Sequence, residues 1–322
     1  MSRLRVCTAP VYTAIVAVVL VVGRADRVRA DESDNFTCAA RVTRDSLTAI
    51  DALMNAKIQE AIGRINIKIS KRGGAGCDEA CRIDALLDAI GRSSPSRPAG
   101  IPHSKIAKAI DDIPGLDRCH LKFGETIYGA RRYNRPWLFP FTGRIIFVAD
   151  SIRLSGHLVG LDKVDHFIRE GLDHWRRLRK GGDIASEIRR EVGEPHGQFQ
   201  WTEYGVKGMS LTGVFAYADL AAGYYGYRFW SDVLSLGRPE SFVSVDATSG
   251  RVTQQRSFTF AAYVNDAWDE SVNRSVFNPT LGKEVTEALR QRSLGSPARD
   301  CKDLAGLPDA RLYVNPNCFA TY

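Results

Sequence analysis

Beyond residue 30 the chain has no apolar run long enough to cross a membrane as a helix. It also has no glycine-rich phosphate loop, no Gly-x-Ser-x-Gly elbow, no His-Glu-x-x-His pair and no internal repeat. Those absences argue against a P-loop nucleotide hydrolase, an elbow-type serine hydrolase, a zincin-type protease and a solenoid. A strong charge of one sign is missing as well. The first thirty residues hold five arginines and one aspartate; taking these from the totals of 44 basic and 37 acidic residues leaves 39 and 36. The basic excess owes much to the start of the chain, and nothing here points to a nucleic-acid partner.

What stands at the start is an export signal. Arg3 and Arg5 precede a weakly polar to apolar stretch from Ala9 to Gly23, followed by Val28 and Ala30 at the small-residue positions before a cut. Residues 1–30 are read as a signal peptide; an uncleaved anchor is the alternative, favoured by the charged stretch Arg24 to Arg29. Cys7 lies before the apolar stretch, so it cannot be a lipoprotein cysteine placed after one. Periplasmic or secreted residence is expected, with no membrane span in the processed chain.

Six cysteines follow the signal: Cys38, Cys77, Cys81, Cys119, Cys301 and Cys318. An even number in an oxidising compartment reads as disulfides. Cys301 and Cys318 are expected to staple a tail rich in proline and asparagine. Cys77 and Cys81 pair with each other or with Cys38 and Cys119. A zinc site is the weaker reading, because one Cys-x-x-x-Cys lacks a second close pair.

The pattern predicts a mainly α (α+β) fold: a helical body with one or two β-hairpins and an N-terminal helical hairpin. Residues 31–120 form the N-terminal helical segment and 121–322 the main helical domain. Leu47, Ile50, Leu53, Met54, Ile58, Ile62 and Ile65 recur at three and four, which is helical spacing. A second helix over 77–92 and a short one near 104–112 follow. Hairpins are expected around Ser155-Gly156 and over 241–258, and further helices near 184–192, 213–235 and 280–292.

One helix carries the chemistry. In "LDKVDHFIREGLDHW", Val164, Phe167, Ile168, Leu172 and Trp175 share an apolar face, while Asp162, His166, Glu170 and His174 recur at steps of four. The plain reading of that stripe is a solvated face. The functional reading is that acids and imidazole divide acid and base roles or hold a metal, with His157 nearby on a hairpin. "DKVDHF" resembles the Asp-Lys-x-x-His-Phe signature of VanZ-like and YfiM-like small bacterial envelope proteins. The likeness covers about ten residues; it has an additional Asp165 and lacks the membrane spans of VanZ-like proteins. It implies a cell-envelope setting and singles out Asp162, Lys163 and His166.

Two more stretches bear candidates. "TGVFAYADLAAGYYGYRFW" has one acid, Asp219, on a stripe of small residues that lets another backbone approach. Asp219 is therefore expected to be buried, paired to Lys163 or an arginine or else raised in pKa, and to meet His166 across a helix pair. In "YVNDAWDESVN", Asp266, Asp269 and Glu270 surround Trp268, as helix caps or as the edge of a sugar-binding cleft.

The resulting expectation is an exported hydrolase or lyase acting on an envelope glycan or lipid headgroup. Its catalytic set is Asp162, His166, Glu170, Asp219 and Asp269. Glu170 or Asp219 serves as acid, Asp269 as second carboxylate and His166 as base or metal ligand. Lys163, Trp201, Tyr204, Tyr227 and Trp268 are the substrate-binding candidates, with Tyr224 as a further aromatic. The sequence requires no cofactor, and a divalent metal is compatible with it. The alternative is a non-catalytic periplasmic binding or envelope-assembly factor.

Overall fold

A computed structural model describes residues 31–71, 78–91, 93–94, 103–129, 146–193, 202–205, 208–210, 212–234, 241–246, 248–294 and 301–319. The expected signal peptide and Trp201 lie outside them, as does Cys77. The fold is mainly α with small sheets, as its patterning predicts. Its long helices are α1 (Leu47–Lys71), α2 (Glu79–Leu86), α3 (Lys105–Asp111), α4 (Leu161–Leu178), α5 (Ile184–Val192), α6 (Tyr217–Leu234) and α7 (Pro279–Gln291). Among the described residues, no helix is long and apolar enough to cross a membrane.

The strands are short and serve to aim the helices. β1 (Asp31–Ser33) runs parallel to β3 (Phe147–Ala149), and β2 (Arg118–Cys119), β4 (Ser151–Leu154) and β5 (His157–Gly160) form an antiparallel sheet. β6 (Val214–Phe215) pairs with β9 (Val276–Phe277), and β7 (Val243–Val245) with β8 (Val252–Gln254). The β4–β5 hairpin turns on Ser155 and Gly156, both at positive φ, the combination a tight two-residue hairpin demands. Asp45 fastens that turn by accepting both backbone N–H groups. The chain then passes from β5 into α4 with only Gly160 as its cap.

Two faces of α4 are buried, each for a different reason. Phe167 packs among Phe229, Phe260, Tyr263 and Trp268 at centroid separations of 5.1 to 5.6 Å. This aromatic knot is continuous with Ile50, Met54 and Ile58 of α1, so the N-terminal helices share one apolar core with the rest of the fold. On the other face α6 comes within backbone contact. A Cβ on Gly226 would stand 2.0 Å from the Phe167 carbonyl oxygen, and one on Gly171 would stand 2.3 Å from the Gly226 carbonyl carbon. Only glycine allows that approach. Trp230 locks the pair by donating its indole N–H to the Ile168 carbonyl at 2.8 Å.

Disulfides fasten the periphery. Cys301 is bonded to Cys318, as expected, and Cys38 to Cys119. The latter closes off the alternatives in which either paired with Cys77 or Cys81. Cys81 is also disulfide-bonded.

Candidate functional site

The α4–α6 contact buries ions as well as aromatics. Asp162, Lys163 and His166 lie on the first turns of α4, and Asp219 on the first turn of α6. Lys163 is fully buried, with its ammonium 2.6 Å from Asp162 Oδ2, 2.5 Å from Asp219 Oδ1 and 2.5 Å from Glu270 Oε1. The second oxygen of Asp219 stands 3.3 Å from His166 Nε2, and His166 Nδ1 is 2.7 Å from Glu170 Oε2. The expected meeting of His166 and Asp219 across a helix pair is therefore present.

The N-terminal strand closes the cluster from behind. Ser33 donates its backbone N–H to Glu270 Oε1 at 3.4 Å, and Tyr128 O–H lies 3.2 Å from the Ser33 carbonyl and 3.4 Å from Glu270 Oε2. Glu32, also buried, accepts from Thr212 Oγ1 at 3.2 Å. Gly160 matters here because a Cβ would stand 2.3 Å from Asp162 Oδ1 and 2.6 Å from Ser33 Oγ. Those two oxygens are buried without a hydrogen-bond partner among the described residues. Such orphaned groups are rare in native interiors and mark strain or function.

The electrostatics follow from too many acids around too few cations. Burial opposes charge on Lys163, but Asp162, Asp219, Glu270 and Glu32 outweigh it and hold the ammonium well above its ordinary pKa. Burial acts on His166 in the same sense, and Asp219 with Glu170 overcomes it, raising the imidazole well above 6.5. The carboxyls move the other way. Burial pushes Asp162 up to about 7 against the pull of Lys163, with Asp219 and Glu270 adding to the rise. Glu32 and Glu270 are raised by burial first and by neighbouring carboxylates second. Burial and the same acids raise Tyr128, leaving it a neutral donor. The cluster retains two cations and a share of protons near neutral pH.

Asp162, His166 and Asp219 offer ligand atoms within 4.8 Å of one another, a spacing that suits a small cation. The Lys163 ammonium already contacts both of those carboxylates. A side-chain cation thus already holds one oxygen of each carboxylate in the set.

Several expectations need correction. The Asp162–His174 stripe does not face solvent: Asp162 and His174 are buried and His166 and Glu170 half-buried, because α6 covers it. Lys163, a candidate for substrate contact, is sealed inside the cluster. Asp269 is turned away from Lys163, accepting from Asn35 Nδ2 at 3.1 Å and from Ser271 N and Oγ at 2.8 and 2.7 Å. Its neighbour Glu270 takes the cluster position. Trp268 is fully buried in the aromatic knot, Tyr204 packs on Phe215 at 4.7 Å, and half-buried Tyr227 packs on the core. Tyr224 donates its hydroxyl to Asp309 at 2.7 Å. No aromatic sugar-binding wall is assembled among the described residues. His157 pairs with Asp266 at 2.6 Å and not with the cluster.

The carboxylates are also not spaced as a glycosidase pair flanking an open bond. Three of them converge on one ammonium, whereas such pairs stand about 5 to 9.5 Å apart across the substrate. The site opens at its Glu270 end. Glu270 and Tyr128 form part of the wall of a cavity of about 540 Å³, whose other walls come from β9, α7 and the stapled C-terminal tail. No known protein family, curated protein or solved structure matches the chain.

Proposed function

We propose that the chain is an exported acid–base enzyme, a hydrolase or lyase acting on an envelope lipid headgroup or glycan. One observation carries the reading: Glu270 belongs at once to the buried Lys163 cluster and to the wall of the cavity. Burial raises the Glu270 carboxyl above its ordinary range while Lys163 draws it back, and a carboxyl so tuned at a cavity wall can act as the proton donor. In this reading Glu270 protonates the leaving oxygen of a substrate in the cavity. Its carboxylate is then stabilised by Lys163 and by the Tyr128 hydroxyl until it takes a proton back from the attacking water. Asp219 positions Lys163 and links it to His166, whose charge Glu170 supports. The export signal, the disulfides and the Asp-Lys-x-x-His-Phe likeness support a periplasmic, cell-envelope setting.

A non-catalytic envelope factor is the second reading, favoured by the complete burial of Lys163. There the cluster would serve only to register α4 against α6. Glu270→Gln separates the two, because it keeps the shape and removes the titrating proton. Hydrolysis of a panel of envelope phospholipids and peptidoglycan fragments should fall about a hundredfold or more in this variant, with the folded state retained by circular dichroism. Turnover equal to that of the parent protein, or a parent protein without turnover on any of them, belongs to the non-catalytic reading.

A further inference from the structure

The lining of the cavity beside Glu270 says what it is built to hold. Phe36, Val272, Phe277 and Leu289 give it an apolar trough, and Val276, one of the few large apolar side chains exposed on the described surface, belongs to the same wall. Arg274 and Lys302 are its two cations. Arg274 is placed over the aromatic wall, its guanidinium carbon 5.6 Å from the centre of the Phe36 ring. Among the described lining residues Glu270 is the single acid, and its charge is met inside the cluster by Lys163. Ser275, nine-tenths buried in the same wall, has a hydroxyl with no hydrogen-bond partner among the described residues. Cys301 and Cys318 both line the cavity, so their disulfide holds one wall in place.

We infer that this cavity binds a single-chain anionic amphiphile, an alkyl phosphate in its simplest form. Its volume lies within the range of small-molecule sites, roughly 300 to 1,000 Å³. The trough accepts an alkyl chain, and the cations answer a phosphate, for which arginine supplies paired donors. A sugar is the poorer match, because the tryptophan nearest in sequence, Trp268, is consumed by the core. The inference rests on the acid–base reading for its choice of a headgroup as substrate; the binding itself stands on the lining alone.

Isothermal titration of the full processed chain with decyl phosphate, decyl maltoside and inorganic phosphate tests it, each amphiphile kept below its micelle threshold. Decyl phosphate should bind, decyl maltoside at least about tenfold more weakly, and inorganic phosphate not measurably. Arg274→Gln should weaken decyl phosphate about tenfold, the worth of one lost charge-assisted contact. Leu289→Trp, which fills the trough, should abolish binding; Lys302→Gln should weaken it without touching the core, should the tryptophan variant fail to fold. Equal binding of the maltoside, undiminished affinity in both charge variants, or no binding of decyl phosphate overturns the assignment. All these variants spare Lys163, Asp219 and Glu270. In the parent protein, turnover without decyl phosphate binding condemns the cavity assignment alone, and decyl phosphate binding without turnover condemns the acid–base reading alone.

Discussion

The two ends of α4 handle buried charge differently. At its C-terminal half, His174 meets Glu191 of α5 at 2.6 Å, and Glu187 is shared by Arg177 at 2.6 Å and Arg190 at 3.1 Å, so cations there are at least as many as acids. At its N-terminal half, one ammonium serves Asp162, Asp219 and Glu270 together, with Glu32 and Glu170 close by. Acids met by enough cations are what a fold needs in order to bring helices together. A crowded acid cluster raises carboxyl pKa values without adding packing, and it is retained at a cost to stability. The contrast is what the proposed acid–base role of the N-terminal end of α4 draws on.

The largest effect that would sharpen this contrast comes from Lys163→Met. It fills similar space but leaves three carboxylates around an uncharged chain, and unfolding free energy should fall by about 3 to 5 kcal/mol in urea titration. A loss no greater than that of a surface substitution would mean the acids are already neutral without the lysine. Next comes the helix contact that closes the cluster. Gly226→Ala sets a methyl against the Phe167 carbonyl, and overpacking of this kind costs about 1 to 3 kcal/mol, read as a lower melting midpoint. An unchanged midpoint would show that α4 and α6 stand further apart.

A third test is a pH dependence. Asp162 has a folded pKa of about 7 against an ordinary value near 3.9, so its protonated form is favoured in the folded state. That contribution is intact below about pH 4 and is lost as pH rises towards 7. His166, raised above its ordinary 6.5, contributes stability that is present below that value and lost as pH rises through its folded pKa. Both terms fall with rising pH. Replacing Asp162 by Asn should therefore flatten the decline between pH 4 and 7 while leaving the histidine part above it. Parallel curves for the two proteins would contradict the assignment to Asp162.

Much of this arrangement is legible in the sequence, and the misses have physical causes. Helical periodicity placed α1, α4 and α6, and the lone acid among small residues announced that Asp219 would be buried against another helix. The same periodicity misjudged the Asp162–His174 stripe, because a helix wheel shows one apolar face and not a second face covered by glycines of a neighbour. Glu270, and not Asp269, takes the cluster position, which the pattern does not reveal because loop residues follow no period that says which of two adjacent carboxylates turns inward. Glu32, Ser33 and Tyr128 carry no local signal at all. Their place depends on β1 pairing with residues 147–149, more than a hundred positions away. Hairpin turns are easier to read, since Ser155-Gly156 and Gly250 reveal themselves through their backbone needs.

The central claim is that the cluster at the start of α4 carries a carboxyl proton that leaves near neutral pH. Carbon-13 NMR of the aspartate carboxyls, with Asp162→Asn to assign the signal, tests it most directly. The account predicts an Asp162 resonance with a midpoint at about 7. A midpoint near 4, the ordinary value for an aspartate, would contradict it.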